Sequence, residues 1–191
     1  NNIGSRYQEL RQHQKAIGYF ERSADELEKV TDTENENFQI MYLITHMNLM
    51  KSYGELDRLD DARKELLKLE KCSQGIVNEM YRYSYLTLKS RLYWNIGEKE
   101  YVYEHLDELI KGGIDDSNAA DYIEDVSDLC GLLKDMQEFD KWKRVILAFE
   151  QHAKKQNSIY YEMILNEMWL DYYKELGDNE QYVKLCIHYV D

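Results

Sequence analysis

Apolar positions along this chain recur with a helical period. From Phe38 to Leu56, Met41, Ile44, Leu49 and Tyr53 follow one another at three-to-five spacing, as on one face of a helix. From Ile159 to Leu176, Met163, Asn166, Trp169, Leu170 and Tyr173 form a similar stripe with one polar break. Period-two alternation, which a half-buried strand requires, is sustained nowhere. The pattern predicts ten helices in five pairs: 1–11 with 14–31, 35–56 with 60–72, 76–96 with 99–111, 117–136 with 139–155, and 158–176 with 179–190.

The pairs repeat. Four similar turns begin at Asp57, Gly97, Gln137 and Gly177, with successive starts 40 residues apart. Tyr53, Tyr93, Leu133 and Tyr173 each stand four residues before a turn, and Leu66, Leu106, Ile146 and Cys186 nine after it. An earlier unit, with Ile3-Gly4, Tyr7, Ala16 and Phe20, fits the same template at an offset of 46 and has a first helix cut short at the N-terminus. Self-similarity at a fixed period of this size is the signature of a stacked repeat. Thr33-x-x-Glu36 reads as a capping box, and Asp116-Ser117 as a helix cap. Gly97 and Gly177 suit the left-handed residue that closes a helix. Gly112-Gly113 reads as a turn between units. With no long linker, residues 1–191 are expected to form one repeat domain.

These residues resemble the tetratricopeptide repeat (TPR) family. The family pattern has a Leu-Gly pair and a Tyr on the first helix of each unit, then Ala and Phe on the second. Ile3-Gly4-x-x-Tyr7, Ala16 and Phe20 match it well; Leu49, Tyr53 and Ala62 match in the second unit, Ser90 and Tyr93 in the third. Val102, Trp142 and Tyr182 stand in the Ala slot of the later units, the period is 40 rather than the family's 34, and the closing Pro is absent. The resemblance implies an all-α, right-handed superhelical α-solenoid of about five helix pairs. A narrower resemblance rests on Tyr172-Tyr173-Lys174-Glu175-Leu176-Gly177-Asp178 and the acidic, Tyr-rich repeats. These look like the N-terminal helical halves of clostridial diguanylate cyclases. That would make the chain a fragment of a bacterial signalling protein whose GGDEF catalytic domain lies outside it. The peptide-binding quorum-sensing regulators of bacilli are similar in architecture.

Composition narrows the function. The formal net charge of −13, with no offsetting Lys/Arg block, argues against nucleic acid and anionic membranes. Cys72, Cys130 and Cys186 stand far apart, which argues against a disulfide framework and for a reducing, cytoplasmic setting. The absence of proline suits helices joined by short turns. No signal peptide or long apolar span is present.

No catalytic constellation emerges. The acid pairs Asp60-Asp61, Asp115-Asp116 and Glu124-Asp125 fall where helix starts and solvated faces explain them. Cys186 and His188, two apart on a helix, point about 200° apart and cannot easily share a metal. Neither catalytic residues nor cofactors are expected. Trp142 and Trp169 read as core, whereas Trp94 falls on the inner side of its unit's first helix. In the TPR family that side lines the concave groove where partner peptides bind. Mapped across units, it comprises Lys51 and Glu55, then Thr87, Arg91, Trp94 and Asn95, then Lys134 and Asp135, then Asp171 and Lys174. Lys51, Arg91 and Lys134 would form a basic track able to clamp a peptide carboxylate, with Trp94 as aromatic anchor. The expected partner is a protein or peptide. The alternative reading is an ordinary polar groove on a scaffold that homodimerises through its second helices.

Overall fold

A computed structural model describes residues 2–72, 79–115 and 122–188. Over them run ten helices: α1 (Asn2–Glu9), α2 (His13–Leu27), α3 (Glu36–Glu55), α4 (Leu59–Cys72), α5 (Glu79–Asn95), α6 (Lys99–Asp115), α7 (Tyr122–Asp135), α8 (Phe139–Gln156), α9 (Ile159–Leu176) and α10 (Asn179–His188). The chain divides into two compact units, Asn1–Glu104 and His105–Asp191, with the boundary inside α6.

The repeated turns share one backbone device. Asp57, Gly97, Gln137 and Gly177 all have positive φ, between 57° and 86°, and Arg11 of the first pair has φ 55°. The N–H of each bonds to the carbonyl three residues back, as from Gly97 to Trp94 at 3.1 Å. The next N–H bonds five residues back: Gln12 to Tyr7, Arg58 to Tyr53, Glu98 to Tyr93, Glu138 to Leu133 and Asp178 to Tyr173, at 2.8–3.0 Å. This is the Schellman closure, which uses carbonyls that a helix end would otherwise leave orphaned. In four of the five turns the carbonyl of that same residue then accepts the first bond of the following helix: Gln12 from Ala16, Arg58 from Ala62, Glu138 from Trp142 and Asp178 from Tyr182. One residue therefore ends one helix and starts the next, which fixes the tight pairing.

The slot five residues after the left-handed position points into the core. Ala16, Ala62 and Val102 are fully buried there, and so is Trp142, which takes the place of a small residue. In the first unit Ala16, Ile17, Phe20, Leu49, Tyr53 and Leu66 pack in one cluster. A Cβ at Gly4 would lie 2.7 Å from Phe20 Cε1, so glycine is required where α1 meets α2. In the second unit Val126, Leu129, Leu133, Trp142, Ile146 and Phe149 are all buried. Full burial of each such aliphatic side chain contributes about 1.5–3 kcal/mol.

Several expectations need correction. Asn35, not Thr33, caps α3; its side-chain oxygen accepts from Asn37 N at 3.0 Å and Phe38 N at 3.3 Å. Gly112-Gly113 does not break the chain, since α6 continues through both to Asp115. The Asp116-Ser117 cap lies outside the described residues. Met41 and Met163 of the predicted stripes are 49% and 46% exposed. α3 packs against α2, α4 and α5, so it buries Thr45, His46 and Ser52 alongside Leu43, Met47 and Leu49, and a single apolar stripe cannot describe it. Trp169 is only half-buried, stacked on Tyr173 at 5.4 Å. Asp125, expected on a solvated face, is buried.

Candidate functional site

In the forty-residue register the candidate groove residues fall into a few slots of the first helices. Six residues before the left-handed position stand Lys51, Arg91 and Asp171, all half-buried. Three before it stand Trp94, Lys134 and Lys174, the first two half-buried and the last exposed. Two before it stand Glu55, Asn95 and Asp135, all exposed. The helix pitch thus leaves these three slots facing out of the pair while the slots between them enter the core. Thr87 is the exception: it is 1% exposed, with its hydroxyl buried and unbonded among the described residues. Met47 occupies the same slot in α3 and is also buried, a signal present in the sequence that this slot belongs to the core. Thr87 therefore leaves the candidate surface.

In the first unit, Trp94 carries Lys99 Nζ over its ring at 4.3 Å and meets Tyr103 edge-on at 6.3 Å. One ring face is covered by its own chain. In the second unit, Lys134 donates to Asp171 at 3.0 Å and pairs with Glu175 at 3.1 Å. Burial works to lower the Lys134 pKa, but these two carboxylates outweigh it and hold it above the ordinary lysine value. Lys134 is therefore neutralised within its own unit, as in the ordinary polar groove.

Two polar clusters lie outside any sequence expectation. His46 Nδ1 lies 2.5 Å from Glu65 Oε2, with the side chains 1% and 9% exposed, and Tyr42 packs on the imidazole at 4.1 Å. Burial works to raise the Glu65 carboxyl, but His46 and Lys68 together hold it below the usual range. Nε2 of His46 is buried without a hydrogen-bond partner among the described residues. A substrate has no access to that nitrogen, so the pair joins α3 to α4 rather than doing chemistry. Lys89, in turn, sits over the rings of Tyr101, Tyr93 and Tyr85 at 5.1, 5.7 and 5.8 Å and bonds Glu70 at 2.7 Å, which ties α4, α5 and α6 together. The Cys130 thiol is fully buried, and burial pushes its pKa up to about 12, the opposite of an activated nucleophile. Among the described residues no group of three or more His, Cys, Asp or Glu is placed to hold a metal ion. Among the described residues no helix is long and apolar enough to cross a membrane.

The chain matches no protein-family model, and no curated protein matches it in sequence. Its structure is similar to the crystal structure of nearly identical TPR-like repeats from a Podosopora anserina protein described as a kinesin light chain, with a TM-score of 0.61 over 98% of this chain and 89% of that one, at 14% sequence identity. The fold is that of TPR-like repeats. The helix pairs, the small-residue slot at Ala16 and Ala62, and the Gly4–Phe20 contact are the TPR-like features of this chain. Among them, the residues Tyr172 to Asp178, which carried the diguanylate cyclase resemblance, are accounted for as a Schellman helix end at Gly177.

Proposed function

We propose that this chain is a non-catalytic protein- or peptide-binding module that engages its partner through the outward slots of its first helices. The observation that carries this reading is the repetition of those slots. Lys51 with Glu55, Arg91 with Trp94 and Asn95, Lys134 with Asp135, and Asp171 with Lys174 all stay at least partly open while the slots between them are filled by core. Within each unit, a TPR-like repeat can present such slots to a partner at a fixed spacing. Regulation of an attached diguanylate cyclase is the finer form of the proposal, supported by sequence resemblance alone; a peptide-sensing regulator is the other. The test is a random peptide library selected on the wild-type chain and retested on the double variant Arg91→Glu, Trp94→Ala. Loss of about tenfold or more in affinity is expected, with helical circular dichroism unchanged. Equal affinity of the selected peptides for both proteins would sink the assignment.

A dimerisation platform is the second reading. It is favoured by Leu67, Leu147 and Ile187, which share one slot of the second helices and are 47%, 42% and 60% exposed. A monomer by light scattering at high concentration would remove it.

A further inference from the structure

The forty-residue register is broken once, between Arg11 and Asp57, which stand 46 residues apart. The connection from α2 to α3 is six residues longer than that from α8 to α9. It runs over residues 28–35, whereas α8 passes to α9 through Asn157 and Ser158 alone. The long connection walls an open cavity of about 390 Å³ within the first unit, large enough for one bulky side chain of a ligand. Leu27, Val30, Phe38 and Met41 supply apolar lining, with Glu26 and Asp32 among the polar groups around it. Leu27 is buried, but Val30 and Met41 are 41% and 49% exposed. Val30 of the connection and Met41 of α3 thus leave apolar surface exposed beside the cavity.

The charge around the cavity says what kind of partner fits. Between residues 25 and 36 stand Asp25, Glu26, Glu28, Asp32, Glu34 and Glu36, all exposed, against Lys29 as the one base. Lys29 is engaged with Glu26 at 2.6 Å. Six carboxylates over one and a half connections' length repel one another and repel nucleic acid or an anionic bilayer. They favour a cationic chain, and the apolar lining favours a hydrophobic residue within it. We propose that this pocket is a second docking site, distinct from the first-helix slots. It takes one large apolar side chain from a basic peptide segment of a partner protein, with the flanking Lys or Arg residues against the acidic rim.

The test uses the whole chain and the fluorescein-labelled peptide Gly-Lys-Lys-Phe-Lys-Lys-Gly, read by fluorescence polarisation. Burying the Phe side chain implies an affinity gain of about tenfold to a hundredfold over the same peptide carrying Ser. Met41→Lys is expected to remove that gain. Val30→Lys, a second variant at an exposed position, is expected to do the same, with circular dichroism verifying the fold of each. Binding should weaken with added salt. Equal binding of the Phe and Ser peptides, undiminished binding by both variants, or no binding of the Phe peptide at low salt would each overturn the proposal.

Discussion

The left-handed turn position offers a sign test, because the same slot is filled by glycine in two turns and by Asp57 and Gln137 in two others. An L-residue held in left-handed backbone costs about 1–2 kcal/mol. Glycine removes that cost but adds unfolded-state freedom worth about 0.4–1 kcal/mol. Gln137→Gly should therefore stabilise the protein by about 0.5–1 kcal/mol, and Gly97→Ala should destabilise it by a similar amount. The Gly97 test is clean, since a Cβ built there meets nothing within 4 Å; any loss comes from the φ of 86° and not from a clash. Asp57→Gly should gain less than Gln137→Gly, because Asp tolerates left-handed backbone better. Urea unfolding followed by circular dichroism gives the midpoints, and thermal shifts of about 2–4 °C per kcal/mol are expected at this size. If Gly97→Ala leaves the midpoint unchanged, or both substitutions move it the same way, the backbone account of the turns is wrong.

The remaining predictions concern single contacts. Gly4→Ala drives a methyl into Phe20 and should cost about 1–3 kcal/mol. Gly18→Ala, with nothing within 4 Å, should gain up to about 1 kcal/mol from helix propensity; a calorimetric scan of both separates packing from propensity. Asn35→Ala should cost about 1 kcal/mol by removing the α3 cap, while Thr33→Ala should fall within about 0.5 kcal/mol of wild type; the reverse order in chemical denaturation would restore the capping box. Glu65→Gln should cost roughly 1–3 kcal/mol near neutral pH. The folded-state pKa of Glu65 is held below its ordinary 4.5, so the contribution of this carboxylate is present above that value and lost as pH falls through the folded-state pKa. The gap between wild type and Glu65→Gln should close there, and a gap independent of pH would show that the carboxylate charge is not what stabilises.

Much of the fold was legible because the turns are local. Gly97 and Gly177 advertise left-handed backbone, and the spacing to Asp57 and Gln137 carries the inference to residues that advertise nothing. Helix ends failed where the chemistry was equally local but ambiguous: Thr33 and Asn35 are both good caps, and only the path of the chain into α3 decides between them. Gly112-Gly113 misled because helix propensity is a weak force beside tertiary packing, and Leu109 and Ile110, within one turn before the pair, are buried. The candidate site was legible in its slots but not in its pairing. Nothing in the sequence around Lys134 announces Asp171, which is 37 residues away. The His46–Glu65 pair was hidden for the same reason, its members 19 residues apart on different helices.

A turn that meets its own hydrogen-bond requirements asks little of its side chains. Arg11, Asp57, Gly97, Gln137 and Gly177 have all filled the decisive position, so one backbone geometry has accepted five local sequences with four different residues. In a lineage of duplicated units this separates two kinds of inheritance. Side chains can drift apart under weak selection, whereas the distance from each turn to its own buried slot holds: Ala16, Ala62, Val102 and Trp142 all stand five residues after the left-handed position, even across the 46-residue interval. Spacing should then outlive identity, and the ancestry of such a chain is better sought in its intervals than in its residues.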